Sequence, residues 1–70
     1  MSHQVDVDSM SADGQFIYFW YRELAGDATV ENGIVHDVQL TETGVSLDNG
    51  VAKGIQEYLQ DWYNHEREQP

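Results

Sequence analysis

Side chains able to do chemistry are present in this chain, but their spacing builds no reaction centre. The serines Ser2, Ser9, Ser11 and Ser46 stand in no nucleophile-elbow context, and no phosphate-cradling loop of the GxxxxGK[ST] kind occurs. His65 follows Asp61 by one helical turn and His3 lies near Asp6 and Asp8, yet neither spacing assembles a metal site. There is no HExxH, no EF-hand loop and no cysteine. His36, between Ile34 and Val38, reads as a histidine at the edge of a core, with a pH-responsive contact as the functional alternative. Seventy residues also leave little room for a substrate pocket of about 300 Å³ or more once a core is filled. The expectation is a protein that is not an enzyme and that carries no metal or cofactor.

The residues that point to recognition lie in Gln15–Glu23, QFIYFWYRE. One helix packed on one side cannot hide six consecutive large apolar or aromatic residues, and the β-branched and aromatic content favours a strand. Alternation then places Ile17, Phe19 and Tyr21 on one face and Phe16, Tyr18, Trp20 and Arg22 on the other. Aromatics with polar tips beside an arginine are what protein interfaces favour at their centres, so Phe16, Tyr18, Trp20 and Arg22 form the first candidate partner-binding set. A second is the acidic stripe Glu57, Asp61 and Glu68 on a C-terminal helix. Carboxylates one turn apart are separated by about 6 Å, coarsely like a row of phosphates.

The charge balance narrows the partner. Thirteen Asp and Glu stand against three Lys and Arg, for a formal charge of −10. Affinity for phosphates depends on basic side chains displacing counterions, and Arg22, Lys53 and Arg67 cannot build a basic track among so many carboxylates. Direct nucleic-acid binding is therefore not expected. Two readings of the acidity remain. In one, the chain is a small acidic protein-binding module that docks on a basic surface of another protein, as an inhibitor occupying a nucleic-acid site would by mimicry. In the other, it is a structural or homodimeric domain of a salt-adapted, halophilic organism, and the acidity serves solvation alone.

These side chains need a scaffold, and the sequence outlines one. Met1 to Asp13 is polar, acidic and aperiodic, and reads as a disordered or loosely held tail, although Val5 and Val7 could extend an edge strand. Residues 14–70 form the single domain. After the aromatic strand, Leu24-Ala25-Gly26-Asp27 reads as a turn, Ala28–Val30 as a short strand, and Asn32-Gly33 as a tight hairpin. Ile34–Thr41 alternates, with Ile34, His36, Val38 and Leu40 on one face. Thr41–Gly44 turns the chain again, and Val45 and Leu47 supply a last short strand.

From Val51 to about His65 the period becomes 3.6, with Val51, Ile55, Tyr58, Leu59 and Trp62 in one stripe and Lys53, Glu57, Gln60, Asp61 and Asn64 opposite. Asp48 or Asn49 is the expected N-cap. The whole is an α+β domain, a small antiparallel meander of three to four strands with one C-terminal helix packed across one face. A domain of this size buries only about 60% of the surface its unfolded chain exposes, and no disulfide supplements it. No apolar run approaches the roughly 20 residues of a membrane span, and the polar N-terminus lacks the apolar segment of a signal peptide. The expectation is a soluble, cytoplasmic protein with no membrane partner.

Overall fold

The computed structural model describes residues 5–41 and 47–68, with side chains through Glu66. Four strands, β1 (Val5–Met10), β2 (Phe16–Tyr21), β3 (Leu24–Glu31) and β4 (Ile34–Leu40), pair antiparallel in sequence order, and helix α1 (Asn49–Glu68) covers one face of the sheet. This is the α+β meander the sequence predicts. No helix among the described residues is long and apolar enough to cross a membrane.

Alternation along β2 and β3 sets the core. Ile17 and Phe19 turn inward with Ala28 and Val30, and meet Ile55 and Leu59 of α1. Val7, Met10, Tyr21, Val38, Leu40, Leu47, Val51, Tyr58, Trp62 and Tyr63 pack around that centre. Complete burial of side chains such as Phe19, Ile17 and Leu59 is worth about 1.5–3 kcal/mol each, so a few residues hold most of a small domain together. The helix starts where its cap is. The Asp48 Oδ2 accepts the Gly50 N–H at 3.0 Å, and its carbonyl accepts the Ala52 N–H at 2.8 Å. The helix extends further than predicted at its C-terminal end, to Glu68.

Several expectations need correction. Val5–Met10, which composition assigned to a loose tail, forms β1 and pairs with β2 from Val5↔Tyr21 to Met10↔Ile17. Leu24-Ala25-Gly26-Asp27 is strand. The turn is instead the two residues Arg22-Glu23, between the paired Tyr21 and Leu24. Arg22 takes the left-handed backbone at the first of these two positions, with φ +59°. Gly26 belongs to β3 because the Phe19 ring lies over it: a Cβ there would come within 2.5 Å of the ring and 2.7 Å of the Gln39 carbonyl. The Asn32-Gly33 hairpin is as expected, with φ of +53° and +81° suited to a type I′ turn.

The face assignment of β4 is half right. Asp27 pairs with Gln39 but Thr29 pairs with His36, so β4 carries one residue more than β3, a bulge in which Asp37 adopts φ +55°. The bulge resets the alternation. Val38 and Leu40 turn toward the helix as expected, whereas Val35 takes the inward place given to Ile34, which is 57% exposed. A matching bulge in β1 sets Asp8 and Ser9 against Tyr18. Leu47 packs on the core outside any strand, while Glu42–Ser46, with the expected turn and Val45, lie outside the described residues.

The helix lies chiefly against β4, with a lesser contact to β1. Gln60, expected on the solvent side, is half-buried at the β4 edge. Its Oε1 accepts the Val35 N–H at 2.8 Å and its Nε2 donates to the Gly33 carbonyl at 2.9 Å, while the Gln56 Nε2 donates to the Val35 carbonyl at 2.8 Å. Two side-chain amides thus satisfy the outward backbone groups of an edge strand as a neighbouring strand would. Asn64, also expected on the solvent side, is half-buried and receives a further bond from Gln60 at 3.2 Å.

Candidate functional site

Because α1 covers one sheet face, the other is left open among the described residues, and its composition follows from the strand registers. Phe16, Tyr18 and Trp20 all project there, 39%, 40% and 44% exposed. Trp20 is flanked by Asp6 on β1 and Ala25 on β3; Tyr18 by Asp8 and Ser9 on one side and Asp27 on the other; Phe16 by Thr29, which in turn faces His36. Ile34, opposite Glu31, extends the apolar surface at the β4 edge. The result is an aromatic row along the middle of a sheet with carboxylates on both sides.

The loop that launches β2 is tied by its own side chains. Ser11 Oγ donates to Asp13 Oδ1 at 2.6 Å and accepts the Phe16 N–H at 3.0 Å, and Asp13 Oδ1 accepts the Gln15 N–H at 3.1 Å. The Ser11 hydroxyl and the Gln15 N–H hold the Asp13 carboxyl below its ordinary pKa. Asp27 is oriented by Gln39, whose Nε2 donates to Oδ1 at 3.3 Å. His36 stands at the β4 bulge with Nδ1 3.0 Å from Asp37 Oδ2 and Nε2 3.3 Å from Glu31 Oε1. The second contact is not a hydrogen bond, and Nε2 is shut off from solvent without a hydrogen-bond partner. His36 therefore faces the open side, not the helix.

The structure brings together Phe16, Tyr18 and Trp20 of the predicted set. It separates Arg22, which sits in the β2–β3 turn with its guanidinium 5.4 Å from the Tyr21 ring centroid. Glu57 and Asp61 are exposed on α1, on the far side of the molecule from the aromatic row, and the Glu68 side chain lies outside the described residues. The two halves of the predicted surface therefore do not form one site. Sequence reasoning missed Asp6, Asp8 and Asp27, the carboxylates that border the rings. The alternating Val5-Asp6-Val7-Asp8 was the available signal for the first two, whereas Asp27 was masked by its place beside Gly26 in a turn-like stretch.

Among the described residues no three His, Asp or Glu side chains converge as metal ligands. Open surface depressions of about 440 Å³ and about 230 Å³ lie beside Gln15, Thr29 and Glu31, and beside Tyr58, Asp61, Trp62 and His65, respectively. No protein-family model, no curated protein and no solved structure matches this chain, so its geometry alone must carry the functional reading.

Proposed function

We propose that this chain is a small non-enzymatic binding module that docks its open sheet face on a basic surface of another protein. The single observation that carries this is the exposed row Phe16, Tyr18, Trp20, bordered by Asp6, Asp8 and Asp27. Apolar side chains exposed together on a small domain mark an interaction surface, and the flanking carboxylates set the sign of the partner. Where that partner's basic surface serves nucleic acid, the module acts as an inhibitor by occupying it. A homodimer through the same face is disfavoured, because it would bring two chains of charge −10 together along their acidic borders.

A second reading accounts for the rest of the acidity. Exposed carboxylates are not confined to the sheet: Asp13, Glu23, Asp48, Glu57, Asp61 and Glu66 are spread over the turns and the helix. A dispersed acidic surface of this kind suits solvation in a salt-rich cytoplasm and has no need of a partner.

Capture of partners on immobilised protein, with variants of each surface, separates the two. Docking through the sheet predicts retention of a basic protein that is lost on Trp20→Ser or Tyr18→Ser, weakens as salt shortens the Debye length from about 10 Å at 0.1 M to about 3 Å at 1 M, and survives Glu57→Lys with Asp61→Lys. Retention indifferent to salt and to both sheet variants would refute it. Stability that climbs steadily to molar salt, with nothing basic retained at any ionic strength, would leave the solvation reading.

A further inference from the structure

The sheet registers define more than a sticky patch. Trp20 stands directly opposite Asp6 on β1, and Tyr18 directly opposite Asp27 on β3. Residues directly opposite in an antiparallel pair have Cβ atoms about 4.5–5.5 Å apart, so each ring has a carboxylate at its flank. Phe16 has no such partner. Its neighbour is Thr29, which faces His36, and His36 stands between Glu31 and Asp37. The open face therefore differs along its length, with two ring and carboxylate pairs toward Trp20 and, toward Phe16, a ring without an opposed carboxylate beside the His36 group.

We infer that the face reads arginine: its occupant is an extended segment of a partner protein with arginines at alternate positions, one guanidinium on Trp20 and Asp6 and the next on Tyr18 and Asp27. The inference rests on the docking reading above and names the chemistry of the partner. A guanidinium is planar and weakly hydrated, so it stacks on a ring while donating a fork of N–H groups to a carboxylate, whereas a lysine ammonium is a compact and strongly hydrated point charge. Trp20 and Tyr18 are two residues apart in one strand, about 6.7 Å, which is the spacing of side chains i and i+2 in an extended segment.

The carboxylates are available for this. Asp6 is exposed, and Asp27 uses Oδ1 for Gln39, which holds the group in place with Oδ2 remaining. Every ion pair among the described residues involves a histidine, and the two described cations are elsewhere, Arg22 over Tyr21 and Lys53 on the exposed side of α1. A second copy of the chain could bring only those two described cations, against carboxylates on both of its surfaces. A partner rich in arginine meets the requirement that a like-charged copy does not.

The test uses the full chain and two capped synthetic peptides, Gly-Arg-Thr-Arg-Thr-Arg-Gly and its equally charged lysine counterpart, titrated at low salt and followed by NMR. Expected are tighter binding of the arginine peptide by about threefold to tenfold, movement of the Trp20 indole N–H but not that of Trp62, and a loss of about threefold or more for Asp6→Asn and Asp27→Asn alike. Asp6 is exposed, so its variant keeps the test valid if Asp27→Asn perturbs the fold. Equal affinities for the two peptides, or indifference to both Asn variants, would overturn the arginine reading and leave docking on basic surfaces intact. No binding of either peptide would overturn it as well, with docking decided by the capture experiment. Shifts confined to Glu57 and Asp61 would overturn both.

Discussion

Replacing Gln60 with Ala would remove the clip that joins the helix to the edge of the sheet. The wild-type amide bonds the Val35 N–H at 2.8 Å and the Gly33 carbonyl at 2.9 Å, with a longer bond to Asn64. A net hydrogen bond is worth about 0.5–1.5 kcal/mol, and a desolvated group left unpaired costs about 1–3 kcal/mol. The site is half-buried, so water recovers part of that loss, and two backbone groups together give about 2 kcal/mol. For a domain of this size that is about 10 °C in Tm. Gln60→Glu should cost more at neutral pH, because a carboxylate still accepts from Val35 but meets the Gly33 carbonyl with a second acceptor, and acidification should restore part of the loss as the protonated acid becomes a donor. Denaturant unfolding gives the stability, and hydrogen exchange at the Val35 amide reports the bond itself. Unchanged stability together with unchanged Val35 protection in Gln60→Ala would refute the clip.

Two further outcomes follow from local geometry. Gly26→Ala should destabilise by about 1–3 kcal/mol, since its methyl would run into the Phe19 ring and the Gln39 carbonyl, whereas Gly54→Ala, where a Cβ meets nothing within 4 Å, should stabilise the helix by about 0.5–1 kcal/mol; thermal melts that rank the two the other way would show the packing to be misread. The lowered Asp13 pKa means that its ionised form helps the fold above the ordinary aspartate range and that this help fades as pH falls below about 4, so Asp13→Asn should flatten the acid side of the stability profile, and identical acid profiles for the two proteins would count against the Ser11–Asp13 loop.

What the sequence disclosed divides along physical lines. The β2 aromatics, the Asn32-Gly33 hairpin, the Asp48 cap and the Ile55–Leu59–Trp62 stripe were legible because each depends on neighbours in sequence: alternation, a turn dipeptide, a cap and a 3.6 period. The remainder depends on neighbours in space. Gly26 and Asp27 look like a turn until Phe19 is seen to occupy the place of the missing side chain. Ile34 and Val35 exchange faces because Asp37 adds a residue to β4, and a bulge at a non-glycine position leaves no compositional mark. Val5–Met10 is acidic enough to resemble a tail, but its two valines and Met10 gain burial from β2 and α1 that composition does not register. At the candidate site the rings were legible and their carboxylate neighbours were not, since Asp6 and Asp27 reach Trp20 and Tyr18 only through pairing register.

The amide clip at β4 also makes the sheet directional in how it could grow. Adding chains end to end by strand pairing needs both outer strands, one edge of each molecule joining the opposite edge of the next, and repetition of that contact produces an open filament. Gln56 and Gln60 already occupy the outward groups of Gly33 and Val35, so a strand arriving at that part of β4 would first have to displace the helix amides. The same two glutamines that fasten the helix therefore also stand in the way of strand addition at that stretch of the edge.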